Sequence, residues 1–295
     1  MGKESGSLSP EVFDSAELQT HYGRLRELLH YRYLLRNLVL RDLKVRYKNS
    51  VLGVFWSLLN PLLMMIVYTV LFTILIPDND IPNYPAFILV ALIPWQFFSS
   101  TLLSGTSSVV GNAPLIKKVY FPRMLLPTSS LLSNLVNFAL AFLVLIVVLY
   151  VSGLGLTIHA LWVPAILVTQ IVFMLGLALM LATAQSFYRD TLMILEVVLL
   201  AWFFLTPVFY PFERFGEEAV LMGITFNPAR LMRWLNPMAS IIDGYRTVLW
   251  GNMGSDGPVA MDPLMLGRTF VTAVIVLLIG YTIFQRMEHL FGEKL

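Results

Sequence analysis

Six apolar stretches dominate the chain, at residues 54–76, 85–110, 125–151, 160–187, 191–210 and 264–284, separated by short polar turns. Each is long enough, or nearly so, to cross a hydrocarbon layer about 30 Å thick at about 1.5 Å per helical residue. Unpaired backbone groups are too costly in lipid, so the pattern predicts six transmembrane helices in an all-α integral membrane protein. A soluble bundle is the alternative, but its helices would carry polar faces, and these mostly do not. Between the fifth and sixth stretches the pattern breaks down. Thr206-Pro207-Val208-Phe209-Tyr210-Pro211 interrupts the fifth helix, and residues 226–250 mix Pro228 and Pro237 with Trp234, Ile241, Ile242, Tyr245, Val248, Leu249 and Trp250. Asn227-Pro228 and Asn236-Pro237 both read as helix starts. This region predicts a re-entrant helical hairpin at the outer face, a gate; a folded cap above the membrane is the alternative.

Ahead of the first span, residues 21–52 carry Leu25, Leu28, Leu29, Leu35, Val39 and Leu43 at helical period, with Arg26, Arg41, Lys44 and Lys48 largely opposite. Such a helix lies along the inner membrane surface with its basic face on anionic headgroups, or packs on another protein. Arg32 and Arg36 fall in the apolar stripe and must snorkel or find partners; Arg46 completes the basic set. Residues 1–20 hold Glu4, Glu11, Asp14 and Glu17 without an apolar core, which predicts a disordered polar tail and not a cleavable signal. Short loops rich in Lys and Arg stay cytoplasmic. That rule puts the basic helix, the Lys117-Lys118-Arg123 loop, the Arg189 turn and the tail from Arg286 inside, so both termini are expected in the cytoplasm. The long outer region with Arg214, Arg230, Arg233 and Arg246 runs against the rule, although it also holds Glu213, Glu217, Glu218, Asp243, Asp256 and Asp262.

Composition agrees with this picture. Of 295 residues, 57% are apolar and 13% charged, and the mean hydropathy is +0.74, as for one integral membrane domain. The net charge of +2 says little about partners. The absence of cysteine excludes disulfides and thiolate metal sites. Four histidines, His21, His30, His159 and His289, are not at ligand spacing, so no metal site is predicted. With no phosphate loop, HExxH or GxSxG motif, no catalytic residue is predicted and ATP hydrolysis is not legible in this chain.

Three groups of residues carry candidate chemistry. The first is residues 111–123, where Pro114 and Pro122 bound a short element with Leu115, Ile116, Lys117, Lys118, Val119 and Tyr120. Solubility alone needs no such apolar crowding, so this is the candidate docking site for a soluble partner; an interfacial turn dipping into headgroups is the alternative. Second, Glu196 is the carboxylate deep inside a predicted span, expected to pair with a nearby Arg or to serve as a gate or vestibule group. Gln170, Gln185 and Asn134 or Asn137 line a polar route or hydrogen-bond across helices. Third, the aromatics Tyr68, Phe72, Trp202, Phe209 and Tyr210, with Arg230, Arg233 and Tyr245 of the outer region, are candidate pore or gate residues. An ordinary aromatic belt is the competing explanation.

Several motifs then point to a family. These are residues 40–61, Leu-Arg-Asp-Leu-Lys-Val-Arg-Tyr-Lys-Asn-Ser-Val-Leu-Gly-Val-Phe-Trp-Ser-Leu-Leu-Asn-Pro; Leu89 to Trp95 followed by Phe97-Phe98; Asn112 to Val119; and Asn236-Pro237-Met238. Together they resemble the membrane permease subunit of bacterial O-antigen polysaccharide ABC exporters, in the ABC-2 type superfamily. The resemblance implies a six-helix domain over residues 53–295 in the bacterial inner membrane, with an amphipathic interface helix and a periplasmic hairpin. It implies a homodimer working with two copies of a nucleotide-binding ATPase that holds ATP and Mg2+, membrane lipids around it, and a lipid-linked polysaccharide moved from cytoplasm to periplasm. Residues 114–121 would contain the coupling helix and residues 228–250 the gate helices. Other cargoes for such a transporter are wall teichoic acid, capsular polysaccharide or a small hydrophobic molecule. An ion-driven secondary transporter would call for paired half-repeats or midplane carboxylates, and a membrane glycosyltransferase for acidic clusters at the interface; neither pattern is found, and nothing indicates nucleic acid.

Overall fold

The computed structural model describes residues 31–74, 81–214, 219–221 and 224–294. Its helices in chain order are α1 (Arg32–Tyr47), α2 (Trp56–Ile74), α3 (Tyr84–Gly111), α4 (Ala113–Lys118), α5 (Leu125–Val151), α6 (Val163–Phe187), α7 (Thr191–Leu205), α8 (Pro228–Leu235), α9 (Pro237–Leu249), α10 (Pro263–Met287) and α11 (Phe291–Lys294). Among the described residues the regular structure is helical apart from a three-residue antiparallel pair, β1 (Ala219–Leu221) with β2 (Ile224–Phe226), which the apolar pattern did not foretell. The expected tail at 1–20 and the first part of the expected 21–52 helix lie outside the described residues.

Among the described residues, five helical segments are long and apolar enough to cross a membrane: Gly53–Thr73, Tyr84–Lys118, Leu125–Val151, Ile158–Phe187 and Pro263–Leu290. The fifth apolar stretch behaves differently. Its helix, α7, stops after 15 residues, because Pro207 disfavours helical backbone at the residue before it. Thr206 is accordingly extended, at φ −100 and ψ 135, and its hydroxyl folds back to the Trp202 carbonyl at 2.8 Å.

α3 is the centre of the molecule. It packs against α2, α5, α6, α7 and α9, and residues 86–91 are entirely removed from solvent. A helix apolar on every side belongs in a core. Pro94 interrupts its N–H ladder, and the Gln170 amide of α6 donates to the Pro94 carbonyl at 2.8 Å. Gln170 is therefore an inter-helix tie and not part of a polar route. Gln185 is likewise structural: it accepts from the Leu192 N–H at 2.9 Å at the start of α7.

The most extensive helix pair is α6 with α10. Gly176 and Gly280 make it possible. A Cβ on Gly176 would sit 2.6 to 2.7 Å from backbone atoms of Val276 and Leu277, and one on Gly280 would overlap the Gly176 carbonyl. Small residues let membrane helices meet backbone to backbone, where dispersion contacts replace the hydrophobic effect as the source of association.

A second core closes the end of the bundle where α1, α4 and α11 lie, joining Leu38, Val109, Ile116, Phe121, Leu125, Leu126, Phe284 and Phe291. α1 contributes Leu38, with Leu34 and Leu35 beside it, and packs on α5. Arg32 and Arg36, expected in this apolar stripe, are instead exposed, as are Arg41, Lys44, Arg46 and Lys48. The side that packs runs through Leu34, Leu35 and Leu38, and of the six exposed cations Arg41 reaches back to the bundle. α1 ends in a turn at Asn49, whose φ of 61 is a left-handed conformation that Asn tolerates better than most residues.

Candidate functional site

At the α4 end, Asn112 closes α3 and opens α4, and Arg41 of α1 donates to its Oδ1 at 2.8 Å. Pro114 stands in the first turn of α4, where a missing N–H costs nothing. The six side chains expected on the docking face divide. Ile116 points inward and is buried among Val109, Phe121 and Phe291, and Leu115 is half-buried beside it. Lys117, Lys118 and Val119 are exposed, and Tyr120 is 91% exposed. Ile116 is thus the anchor of the element, and the surface it presents consists of two ammonium groups, a valine and a tyrosine. The next residues are fixed from a distance in sequence. The Arg123 N–H donates to Glu288 Oε1 at 2.9 Å, its guanidinium binds the Glu288 carbonyl, and it lies 5.9 Å from the Phe291 ring centroid.

At the opposite end, α8 and α9 both begin at the anticipated Asn-Pro steps. The Asn227 side chain accepts from the Arg230 N–H at 2.8 Å, and the Asn236 side chain from the Ala239 N–H at 3.2 Å, so each asparagine caps the helix that its proline starts. Their faces differ. Ile241, Ile242, Tyr245, Val248 and Leu249 of α9 are buried, packed against α3, α6 and α10. α8 instead exposes Leu231, Trp234 and Leu235, the last 75% exposed. Tyr245, a candidate pore residue, is fully buried in the core beside Phe138, and its hydroxyl has no partner among the described residues. Burial pushes that phenol up. It is a core residue of α9.

Arg246 holds the two halves of this region together. It is almost completely buried, and donates from Nη1 to the Pro207 carbonyl at 2.5 Å and the Tyr210 carbonyl at 3.1 Å, and from Nη2 to the Val208 carbonyl at 2.6 Å. Its guanidinium carbon lies 3.7 Å from the Phe87 ring centroid. The carbonyls freed where α7 breaks thus find their donors on α9. Burial lowers the Arg246 guanidinium to about 9, opposed by Asp243 and Glu213; it stays charged at neutral pH. One turn earlier, Asp243 pairs with Arg233 at 3.0 Å. Burial raises the Asp243 carboxyl above 3.8, with Arg233 and then Arg246 pulling it down. Arg233 also lies 4.4 Å from the Phe212 ring, so it is engaged inside the protein, whereas Arg230 is exposed.

The aromatic candidates do assemble, but onto one another. Tyr68 and Phe72 of α2 lie 4.8 and 5.3 Å from the Phe209 ring, and Phe203 lies 4.8 Å from it. Trp202 packs edge-on to Phe98 at 5.0 Å and donates to Asn236 Oδ1 at 2.9 Å. The Tyr210 hydroxyl donates to the Phe204 carbonyl at 3.0 Å. Within one chain this cluster joins α2, α3 and α7 beneath the break after Leu205. Glu196 stands apart on the outer side of α7 among exposed Met193, Val197 and Leu200. No arginine pairs with it among the described residues, contrary to the expected internal salt bridge.

The sequence also suggests Arg230, Arg233 and Arg246 facing headgroups or an anionic substrate, with Asp243 as a partner; Arg233 does pair with Asp243, but Arg246 is buried on carbonyls instead, and the anchoring role of Ile116 was missed. Asn134 and Asn137, expected to line a polar route or to hydrogen-bond across helices, do bond across helices, Asn134 to Ser104 and Asn137 to Tyr47. They line a cavity of about 400 Å³ between α1, α2, α3 and α5.

Compared with known proteins, residues 33–250 match the family model of the ABC-2 type transporter. The chain is 36% identical over 271 residues to the O-antigen export system permease protein RfbA of Myxococcus xanthus, an alignment covering 92% of this chain and 98% of that protein. Two proteins of Klebsiella pneumoniae with the same name are 31% and 32% identical, each over 256 residues covering 86% of this chain and 92% of theirs.

Proposed function

This chain belongs to the ABC-2 type transporter family, and from that premise we propose that it is the permease subunit of an ABC exporter of O-antigen polysaccharide. The observation that carries the reading is similarity to O-antigen export permeases along 92% of this chain, with 98% of the relative covered. As a multi-pass membrane protein of this family it works beside a nucleotide-binding partner, and the transport step is the substrate's passage through the membrane.

The finer reading is ours. The cargo is lipid-linked and moves from cytoplasm to periplasm across the bacterial inner membrane, with both termini in the cytoplasm. Two ATPase copies dock on two permease copies. Support for the docking surface is the rigid seat of α4, which turns Lys117, Lys118, Val119 and Tyr120 outward while Ile116 anchors it. Support for a second permease copy is Glu196. A carboxylate facing hydrocarbon is expensive, and a water-filled pore between two copies, bordered by the outer face of α7, relieves that cost. α7 then serves as the sixth span. It rises only about 22 Å at about 1.5 Å per residue, and the segment from Thr206 to Pro211, held by Arg246, completes the crossing. α8 and α9 form the outer gate, with α8's exposed apolar side toward lipid. The basic side of α1 faces headgroups of the inner leaflet.

The test is genetic and chemical. Deleting the gene should remove O-antigen from the cell surface and leave polymer inside, and expressing the chain with its ATPase should restore surface polymer. A deletion strain with unchanged surface polysaccharide overturns the reading.

A further inference from the structure

The cavity between α1, α2, α3 and α5 sets a group of amides and hydroxyls among an otherwise largely apolar lining. Asn134 of α5 is 2% exposed. Its Nδ2 donates to Ser104 Oγ at 2.8 Å and to the Ser130 carbonyl at 2.9 Å, but its buried Oδ1 has no partner among the described residues. One turn on, the Asn137 Oδ1 accepts from the hydroxyls of Tyr47 and Ser57, while its buried Nδ2 has no partner. Both amides line the cavity, and each has one atom, an acceptor on Asn134 and a donor on Asn137, that makes no hydrogen bond among the described residues. Buried amide atoms without partners cost about 1–3 kcal/mol each, a cost that a polar guest in the cavity would offset if the side chains turn toward it. Gln96 of α3, half-buried on the same wall, adds an amide, and Phe97 and Phe138 add aromatic surface.

The mouth of the cavity adds a charge. Arg46 at the end of α1, Trp56 and Asn60 at the start of α2 and Ser100 of α3 line it and are all exposed. The opening therefore lies at the membrane-surface end of α2, beside the basic side of α1, where lipid headgroups reside. Amides and hydroxyls inside with a guanidinium outside suit a head with hydroxyls at its tip and a phosphate behind them, since Arg binds phosphate through paired N–H donors. A volume of about 400 Å³ also falls within the roughly 300–1,000 Å³ of small-molecule sites.

We propose that this cleft binds the phosphate-bearing, hydroxyl-rich headgroup of a lipid from the leaflet that carries α1, with Asn134, Asn137 and Gln96 engaging the hydroxyls and Arg46 the phosphate. Two sources share this chemistry. One is a resident phospholipid such as phosphatidylglycerol; the other is a polyprenyl diphosphate bearing a sugar, which would be the head of the transported lipid. The second source alone rests on the export reading.

The test is equilibrium binding to the full-length chain in detergent, followed by native mass spectrometry. The probes are phosphatidylglycerol, phosphatidylcholine as the hydroxyl-free control, and a polyprenyl diphosphate carrying one N-acetylhexosamine. Arg46→Gln, at an exposed position, should weaken a bound probe about tenfold, the effect of one charge-assisted hydrogen bond. Gln96→Leu, with no protein hydrogen bond to lose, should weaken it about fivefold. Asn137→Leu should do the same, with Tyr47→Phe reporting how much of that change comes from the lost tyrosine contact. Selective retention of phosphatidylglycerol assigns a resident lipid, and selective retention of the sugar diphosphate lipid assigns the transported head. Equal binding of phosphatidylcholine, a retained lipid indifferent to both Arg46→Gln and Gln96→Leu, or a cleft that retains no lipid and holds water only would each overturn the proposal. Because the assay uses neither ATPase nor transport, it can succeed where the export reading fails, and the reverse.

Discussion

Replacing Arg246 by methionine isolates the bond between α9 and the break after α7. The substitution keeps much of the side-chain volume and removes the guanidinium, so packing against Phe87 is partly retained while three carbonyls, those of Pro207, Val208 and Tyr210, lose their donor. Hydrogen bonds to a charged group contribute about 1.5–3 kcal/mol each, and a buried group left unsatisfied costs about 1–3 kcal/mol. Against this, methionine need not be desolvated as a charge, which recovers several kcal/mol. The net destabilisation is therefore about 3–5 kcal/mol, the range for breaking a buried charged contact by removing one partner. At about 2–4 °C per kcal/mol, the scale of domains a little shorter than this chain, the thermal midpoint of the purified protein falls by about 6–20 °C. Arg246→Lys should recover only part of this, because one ammonium cannot reach three carbonyls spread across four residues. Thermal unfolding followed by tryptophan fluorescence checks both variants. A midpoint within about 2 °C of the parent for Arg246→Met would mean that the carbonyls are satisfied by water and that Arg246 holds nothing together.

Three further outcomes follow from the geometry. Tyr120→Asp should release the ATPase in co-purification while leaving the thermal midpoint unchanged, since the ring touches no core; Ile116→Asp should lower the midpoint itself, because it puts a charge into the cluster around Phe291. Gly176→Ala should cost about 1–3 kcal/mol by pushing α10 off α6, read as a lower thermal midpoint, whereas an unchanged midpoint would show that the helices can separate freely. Asp243 binds its proton more tightly in the folded chain, so between 3.8 and its raised value the folded state holds more protons than the unfolded one and stability falls as pH rises. Asp243→Asn should flatten that slope in midpoints measured across mildly acidic pH, and an identical slope in the variant would assign it to another group.

What the sequence made legible were features carried by local chemistry. Apolar runs located the spans, Pro207 marked the end of α7, and the Asn-Pro pairs marked the starts of α8 and α9, because in each case the deciding contact lies within a few residues. The errors lie where the deciding contact is remote. Ile116 turns inward because Phe284 and Phe291, far along the chain, supply its pocket. Tyr245 sinks into the core because α3, α6 and α10 surround α9 on its apolar side. Glu196 faces outward because the buried side of α7 is already defined by Leu195 and Leu199. Arg246 read as an outer-loop charge because nothing near it in sequence announces three carbonyls awaiting a donor. Asn134 and Asn137 were identifiable as polar groups within a span, but two amides lining one cavity, each with one unsatisfied atom, are a property of the packed bundle.

The paired glycines of α6 and α10 carry a mechanical consequence. Where two backbones touch, sliding one helix along the other by a residue would drive Leu277 or a neighbouring side chain into a space that admits only hydrogen. The contact therefore works as a detent that sets the height of α10 relative to α6. Because Glu288, just past the end of α10, grips Arg123 beside α4, that height is transmitted to the exposed surface of Lys117, Lys118 and Tyr120. A push delivered at α4 then meets a strut that cannot telescope, and force passes along α10 toward Asp262 at its far end instead of being absorbed at its base.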